Sequence, residues 1–180
     1  MKKKKFVIDF DGHQDYTIFN ITSSQPDFRI AYLLNKHLGL QLQRDENMLV
    51  KKSSICDPQQ FSFFSYTRDM RTTYYLIHDL SDQEPLIKNF FLLIHGFLIE
   101  LEQNELVTTI NKIPEILSVN QLNLIDKQSI RKSQNKTTEL LNLILTELEY
   151  HILTIAKQKN ETKIQLKQTD RERNKRLRSE

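Results

Sequence analysis

Phe90-Phe91-Leu92-Leu93-Ile94-His95-Gly96 is the stretch that decides the fold of this chain. Its five successive large apolar residues leave no polar face, so the segment is predicted to be a strand covered on both sides. The glycine stop is followed by a helical pattern that ends near Ile113-Pro114, which indicates a strand-to-helix crossover. The chain is therefore predicted to be a layered fold of strands and helices.

The composition is that of an ordinary domain: of 180 residues, 38% are hydrophobic and 27% are charged. Its single cysteine, Cys56, excludes an internal disulfide and fits a reducing compartment. No apolar run approaches the roughly 20 residues needed to cross a bilayer. The basic start, Lys2 to Lys5, lacks the apolar core of a secretory signal because Asp9 and Asp11 interrupt it. We expect a cytoplasmic protein that does not contact a membrane.

The net charge of +3 conceals two basic ends on an acidic body. Lys2 to Lys5 are four consecutive positive charges, and residues 157–180 hold nine Lys/Arg against four Asp/Glu, which leaves −6 for the residues between. Such ends favour an anionic partner such as RNA, while the commoner role of charged termini is solubility. Composition alone leaves both interpretations open.

A first helix is predicted from Ser24 to Leu38. The Ser24 hydroxyl is expected to cap the helix, Pro26 fits its first turn, and Gly39 ends it. The predicted core face holds four apolar residues, which are Phe28, Ile30, Leu34 and Leu38.

The other predicted elements of residues 1–133 follow from alternation and from breakers. They are a strand at 6–11 with an extension at 16–21, strands at 40–51, 61–66, 72–78 and 90–94, a helix at 100–112 and a strand at 116–125. This order predicts an α+β domain over residues 1–133: a ferredoxin-like antiparallel sheet with two packed helices and extra strands.

Residues 134–157 are predicted to be a long amphipathic C-terminal helix, since apolar residues recur there at helical spacing. The stripe consists of Leu141, Ile144, Leu145, Leu148, Ile152 and Ile155. The pattern favours packing on the sheet of its own domain, and it also fits docking onto a partner or a second copy. We take these six residues as candidate partner-binding residues. Residues 158–180 are predicted to be a basic solvated helix or a disordered tail.

Three stretches of the chain resemble the IPExxVDY family of Bacteroidetes proteins. They are residues 3–11, the core that ends in Phe91-Leu92-Leu93-Ile94-His95-Gly96, and Ile110-Asn111-Lys112-Ile113-Pro114 running into residues 116–124 and Lys127-Gln128-Ser129. The name motif of the family is incomplete, because residues 84–91 keep Pro85 and Phe91 but lack the family's Glu and Asp. The resemblance implies a bacterial cytoplasmic protein, carries over no site residues, and leaves the helix and tail after Lys136 as an addition.

An aromatic hairpin is the main candidate for RNA binding by the body of the protein. Phe64, Tyr66 and Tyr74 lie on two neighbouring predicted strands, with Arg68 and Arg71 at the turn. Exposed aromatic rings on a sheet stack unpaired bases in RNA-recognition modules. Alternatively, these rings alternate between the two faces of the sheet and are covered by helices. Further RNA-binding candidates lie in the basic tail: Arg173, Lys175, Arg176 and Arg178.

One stretch resembles an enzyme motif. Phe6-Val7-Ile8-Asp9-Phe10-Asp11-Gly12 is similar to the first motif of haloacid-dehalogenase-type phosphatases, which implies Asp9 as nucleophile and Asp11 as acid/base, with Mg²⁺. The downstream Gly-Asp-x-x-x-Asp pattern of those enzymes is missing, so we interpret the pair as an acidic strand edge that discourages pairing. The five histidines and the cysteine are scattered without ligand spacing, and we predict no catalytic residue, metal or cofactor.

The sequence therefore favours a non-enzymatic binding or adaptor protein. It is expected to dock to a protein or ribonucleoprotein partner, or to a second copy of itself, through the C-terminal helix and basic tail. RNA binding through the aromatic hairpin and a small-ligand sensor resembling ACT domains are the alternatives.

Overall fold

The computed structural model describes residues 16–51, 57–80, 86–122 and 135–176. Within them the strands are β1 (Tyr16–Ser23), β2 (Gln43–Arg44), β3 (Met48–Val50), β4 (Gln59–Thr67), β5 (Thr73–Asp79), β6 (Lys88–His95) and β7 (Ile116–Leu122). The helices are α1 (Asp27–Leu38), α2 (Glu100–Asn111) and α3 (Asn135–Arg176). The predicted α+β class and the long C-terminal helix are confirmed, whereas the strand predicted at 6–11 lies outside the described residues.

The seven strands of the described residues belong to one antiparallel sheet. Its order is β4-β5-β6-β1-β7, and both β2 and β3 pair with the outer edge of β4. Because β6 and β7 each run antiparallel to β1, which lies between them, they are parallel to each other. The helix α2 joins these two strands and is the crossover connection that the sequence predicts.

The central strand β6 is sealed on both faces. Phe90, Leu92 and Ile94 belong to one buried cluster, and Phe91 and Leu93 belong to a second cluster on the opposite face. All five side chains are buried. Burial of each large apolar side chain stabilises the fold by about 1.5–3 kcal/mol. Because both faces of β6 are buried, the prediction of a strand between two covering layers is confirmed.

Helices cover both faces of the sheet. Ile30 and Leu34 of α1 and Ile110 of α2 join the first cluster. Leu141 and Leu148 of α3 join the second. The described elements thus form three layers, with α1 and α2 on one side of the sheet and α3 on the other.

The start of α1 differs from the prediction. Pro26 is the N-cap residue, and among the described residues no side chain caps the helix. The neighbouring Ser23, rather than Ser24, makes the local hydrogen bonds: its Oγ accepts from the Gln25 N–H at 3.1 Å and donates to the Glu115 carbonyl at 2.6 Å. These bonds tie the start of α1 to the start of β7.

The core face of α1 also corrects one prediction. Ile30 and Leu34 are buried as expected, but Phe28 is 65% exposed. Two residues correspond to about 200° around an α-helix, so Phe28 lies on the side of α1 opposite Ile30. Gly39 ends the helix in a left-handed conformation with φ of 66°, as predicted.

The strand predicted at 40–51 is two short strands. Gln43 pairs with Ser65 in β2, whereas Met48 pairs with Phe61 in β3, so the two pairings differ by one residue in register. A shift of one residue breaks the ladder and cannot be read from a short alternating pattern.

Candidate functional site

The predicted partner-binding stripe of α3 lies against the chain's own sheet. Five of its six residues are buried in the second cluster, and Ile152 packs against that cluster half-buried; the five are Leu141, Ile144, Leu145, Leu148 and Ile155. The pattern fits packing on the chain's own sheet or on a partner, and in the structure the stripe packs on the sheet. The docking role predicted for these residues is therefore corrected, because a side chain buried in its own domain presents no surface to a partner.

The aromatic hairpin of β4 and β5 is buried between the layers. Phe64 and Tyr74 belong to the cluster under α1 and α2, and Phe63 and Tyr75 belong to the cluster under α3. Tyr66 is half-buried and stacks on Tyr74 with ring centroids 6.2 Å apart. The prediction that Phe64 and Tyr74 stack bases on an open sheet face is corrected, since helices cover both faces.

The turn that joins β4 to β5 is held in a fixed conformation. Asp69 Oδ1 accepts the backbone N–H groups of Arg71 and Thr72 at 2.7 and 2.8 Å. The first of these hydrogen bonds is the main cause that lowers the pKa of the exposed Asp69 carboxyl group. The carbonyl of Arg71 lies against Gly96, whose φ is 121°, and leaves no room there for a Cβ atom. The turn and the end of β6 are therefore packed together.

A cleft lies beside this turn, between the end of α1 and residues 102–109 of α2. It has a volume of about 310 Å³, and we call it the α1–α2 cleft. Its polar lining consists of His37, Arg68, Tyr74, Glu102, Glu105 and Thr109. The Arg68 guanidinium carbon lies 5.3 Å from the centroid of the Tyr74 ring, a cation–π distance. Arg71, the other predicted RNA-binding arginine of the turn, is exposed and does not line the cleft.

An ion pair joins α3 to the edge of the sheet where the apolar stripe ends. Lys159 Nζ lies 2.6 Å from Asp45 Oδ1. The Ser65 hydroxyl donates to the other carboxylate oxygen, Oδ2, also at 2.6 Å. The Asp45 side chain is thus held by β4 and α3 together, and it fixes the position of the helix at this point.

His151 lies one turn before the end of the apolar stripe and is partly buried. Its ring meets the Phe63 ring edge-on at 4.7 Å, and its Nε2 lies 3.1 Å from the Glu46 carbonyl oxygen. Burial lowers the pKa of His151, and the Glu46 carbonyl and the charges of Asp45 and Glu46 oppose that shift more weakly. The burial of the ring therefore favours the neutral imidazole.

The basic segment, residues 157–176, is the part of α3 beyond the apolar stripe. It holds eight Lys/Arg against three Asp/Glu, and its only large apolar residues are Ile164 and Leu166. The helical backbone continues through all of it. A 20-residue helix is about 30 Å long, so the segment is as long as the diameter of a small domain.

Basic residues recur in this segment at a spacing of four that the sequence interpretation missed. They are Lys159, Lys163, Lys167, Arg171 and Lys175. Four residues of α-helix rise about 6 Å, so these residues follow the helix axis at regular intervals. Among the predicted tail residues, Arg173, Lys175 and Arg176 lie in the last turns of α3, and Arg178 lies outside the described residues. A count of charges identifies the basic segment, but only the spacing shows that its basic residues recur regularly along the helix.

Other candidate residues lie outside the described part of the chain. Asp9, Asp11 and Cys56 are among them, so the phosphatase-like and thiol interpretations stay untested predictions. Within the described ranges, no three His, Cys, Asp or Glu side chains are grouped so that they could hold a metal ion.

The described part of the chain contains no helix with the length and apolar character needed to cross a membrane. Comparison of the whole chain with protein-family models, curated proteins and solved structures finds no match. The resemblance to the IPExxVDY family therefore stays a prediction, and the geometry described above is the basis for a functional proposal.

Proposed function

We propose that this is a non-enzymatic binding protein that docks to RNA, free or in a ribonucleoprotein, through the basic segment of α3. The observation that carries the proposal is the division of one continuous helix into two unlike halves. The first half buries its apolar stripe on the sheet, and the second half carries a net charge of +5 at the same helix's end. The first half serves as the anchor and the second as the docking element.

The position of the anchor supports this division of labour. Ile155 is the last buried residue of the stripe, and the Asp45–Lys159 ion pair follows one turn later. Beyond that pair the basic segment has too few apolar residues to form a core of its own. A ligand that binds the helical form of this segment would stabilise it.

The spacing of basic residues supports a polyanionic partner. Residues four apart are neighbours on a helix, and a like-charge pair at that spacing destabilises the helix by about 0.2–0.5 kcal/mol. The series from Lys159 to Lys175 contains four such pairs, whereas opposite charges four apart occur twice in the segment, at Lys157 and Glu161, which lie 3.9 Å apart, and at Glu172 and Arg176. Phosphate groups along an RNA strand would neutralise the series and remove the repulsion.

An apolar groove of a protein partner fits the basic segment less well. Helix-in-groove docking needs apolar anchors three or four residues apart on one face. Ile164 and Leu166 are two residues apart and do not share a face. Contacts with phosphates need no apolar anchor, and for this reason we favour RNA over a protein groove.

We also propose that β1, α1, β5, β6, α2 and β7 form a ferredoxin-like core, to which β2, β3 and β4 add an edge. The strand order β7-β1-β6-β5 and the position of both helices on one face support this assignment. A bacterial cytoplasm is the proposed location, on the grounds of the single cysteine and the family resemblance.

Two alternatives from the sequence stand differently after the fold is known. The burial of Phe64 and Tyr74 removes support from base stacking by the aromatic hairpin. The α1–α2 cleft favours the other alternative, a small-ligand sensor, although this cavity lies within one chain and not at a dimer interface.

Titration of a fluorescently labelled single-stranded RNA with the full chain tests the proposed function. If five phosphates are neutralised, the logarithm of the binding constant falls with the logarithm of salt concentration with a slope of about −3.5. Binding should then weaken about 500-fold between 50 and 300 mM salt. An absence of binding at low salt, or an affinity that does not change with salt, would refute the proposal.

A further inference from the structure

The α1–α2 cleft contains a buried tyrosine whose polar end is not used by the protein. Tyr74 is 1% exposed, and burial raises the pKa of its hydroxyl group. Within the described residues, that hydroxyl makes no hydrogen bond, although the side chain lines the cleft. Because the side chain lines the cleft, its hydroxyl group is available to hydrogen-bond solvent or a ligand there.

The ring of the same tyrosine is held rigidly. Tyr66, its partner on the neighbouring strand β4, stacks on the ring, and the Arg68 guanidinium carbon lies 5.3 Å from the ring centroid. The turn that carries Arg68 is fixed by the Asp69 carboxylate and by the close packing of Arg71 on Gly96. The floor of the cleft is therefore formed before any ligand arrives, which lowers the entropic cost of binding.

Charged groups of both signs line the cleft without pairing with each other. Arg68 comes from the β4–β5 turn and His37 from the end of α1, whereas Glu102 and Glu105 both come from α2. Among the described side chains, Arg68 has no carboxylate within 4 Å. One oxygen of Glu102 accepts the Ile99 N–H at 3.1 Å, and Glu105 makes no such bond within the described region.

The size and charge of the cleft restrict the ligand. A volume of about 310 Å³ is at the lower end of the range for ligand pockets, about 300–1,000 Å³, so the ligand is small. An anion without a positive group would be repelled by the two glutamates, and a cation without a negative group would be repelled by Arg68. A molecule that carries both charges meets a partner for each.

We infer that the α1–α2 cleft binds a small zwitterion of the free amino-acid type. Its carboxylate is bound by the Arg68 guanidinium, with an N–H donor from His37, and its ammonium group is bound by Glu105 and Glu102. The Tyr74 hydroxyl supplies a hydrogen bond at the floor. This inference does not depend on the proposed RNA binding, which uses residues on the opposite layer.

The test is a thermal-shift screen of the full chain with each standard L-amino acid at millimolar concentration, followed by calorimetry. At least one amino acid should raise the melting temperature, because a ligand that binds only the folded state stabilises it. Its Nα-acetyl derivative and its carboxamide should bind at least tenfold more weakly, since each lacks one of the two charges. Equal binding of either derivative, or no shift with any amino acid, would overturn the inference.

Variants locate the site. Arg68→Gln and Glu105→Gln should each weaken binding at least tenfold. Tyr74→Phe removes only the hydroxyl group and keeps the ring, and it should also weaken binding. Glu102 is left unchanged because it also caps α2. Arg71→Gln is the matched control, since Arg71 is exposed in the same turn but outside the cleft. If Arg71→Gln weakened binding as much as Arg68→Gln, the assignment to this cleft would be wrong.

Discussion

Lys159 Nζ lies 2.6 Å from Asp45 Oδ1, and this ion pair marks the point where α3 changes from an apolar to a basic helix. Before this ion pair, the part of α3 that contains His151 covers the second face of the sheet. After it, the part of α3 that contains Lys163 carries the positive charge that we propose to bind RNA. The two halves should therefore respond differently to substitution.

The anchoring half should be essential to stability. Leu148 is fully buried, so Leu148→Ala should lower the free energy of unfolding by about 2–5 kcal/mol. Leu153 lies on the same helix but is 69% exposed, and Leu153→Ala should change it by less than about 0.5 kcal/mol. Urea denaturation measures both. Equal small effects would mean that α3 does not pack on the sheet.

Removal of the lysine from the Asp45–Lys159 ion pair should lower the stability less than removal of the carboxylate. The Lys159 side chain is largely exposed, so Lys159→Gln should lower stability by less than about 1 kcal/mol. Asp45→Ala also removes the acceptor of the Ser65 hydroxyl and should cost about 1–3 kcal/mol. The same denaturation experiment compares them, and a larger loss for Lys159→Gln would contradict the arrangement.

His151 should make stability depend on pH. Burial lowers its pKa in the folded state below the ordinary value of about 6.5. The unfolded chain then binds more protons than the folded chain, so stability is fully present above the unfolded pKa and is lost as pH falls through the folded pKa.

The His151→Gln variant isolates this contribution, because the other histidines are unchanged. The free energy of unfolding of the native chain should fall more steeply than that of the variant as pH is lowered from 7.5 towards 5. Parallel pH profiles for the two proteins would contradict the burial of this ring. Titration of the imidazole by NMR gives the folded pKa directly.

The two described glycines with positive φ, Gly39 and Gly96, should differ in how much stability is lost when each is replaced by alanine. A Cβ at Gly39 meets no atom within 4 Å, so Gly39→Ala should cost only the left-handed strain of about 1–2 kcal/mol. At Gly96 the Arg71 carbonyl occupies the same space, and Gly96→Ala should cost clearly more. Thermal unfolding compares the two variants. A Gly96→Ala protein as stable as Gly39→Ala would show that the turn does not pack on β6.

Strong local patterns predicted much of this fold. Five apolar residues in a row at 90–94 can be buried only between two layers, and Gly39 ends a helix for a reason that is local. Phe28 was misplaced because an apolar residue near a helix start can be counted into the core stripe although it lies on the other side. The one-residue register shift between β2 and β3 is set by pairing with β4, which no local pattern contains.

The candidate sites were harder to predict, for a physical reason. The spacing of Leu141, Ile144 and Leu148 is the same whether the helix covers its own sheet or a partner, so the pattern could not decide which. The α1–α2 cleft joins residues from α1, α2 and the β4–β5 turn, and only the folded chain brings His37, Arg68 and Glu105 together.

The most direct test of the central claim compares the salt dependence of RNA binding in two variants of equal charge. One carries Gln in place of Lys163, Lys167, Arg171 and Lys175. The other carries Gln in place of four lysines of the body, which are Lys36, Lys51, Lys88 and Lys112.

If the basic segment binds phosphates, the first variant should lose about 2.8 from the magnitude of the salt slope, because each phosphate contact contributes about 0.7. The body variant should keep the slope of the native chain. Equal slopes in the two variants would contradict the assignment of RNA binding to the basic segment of α3.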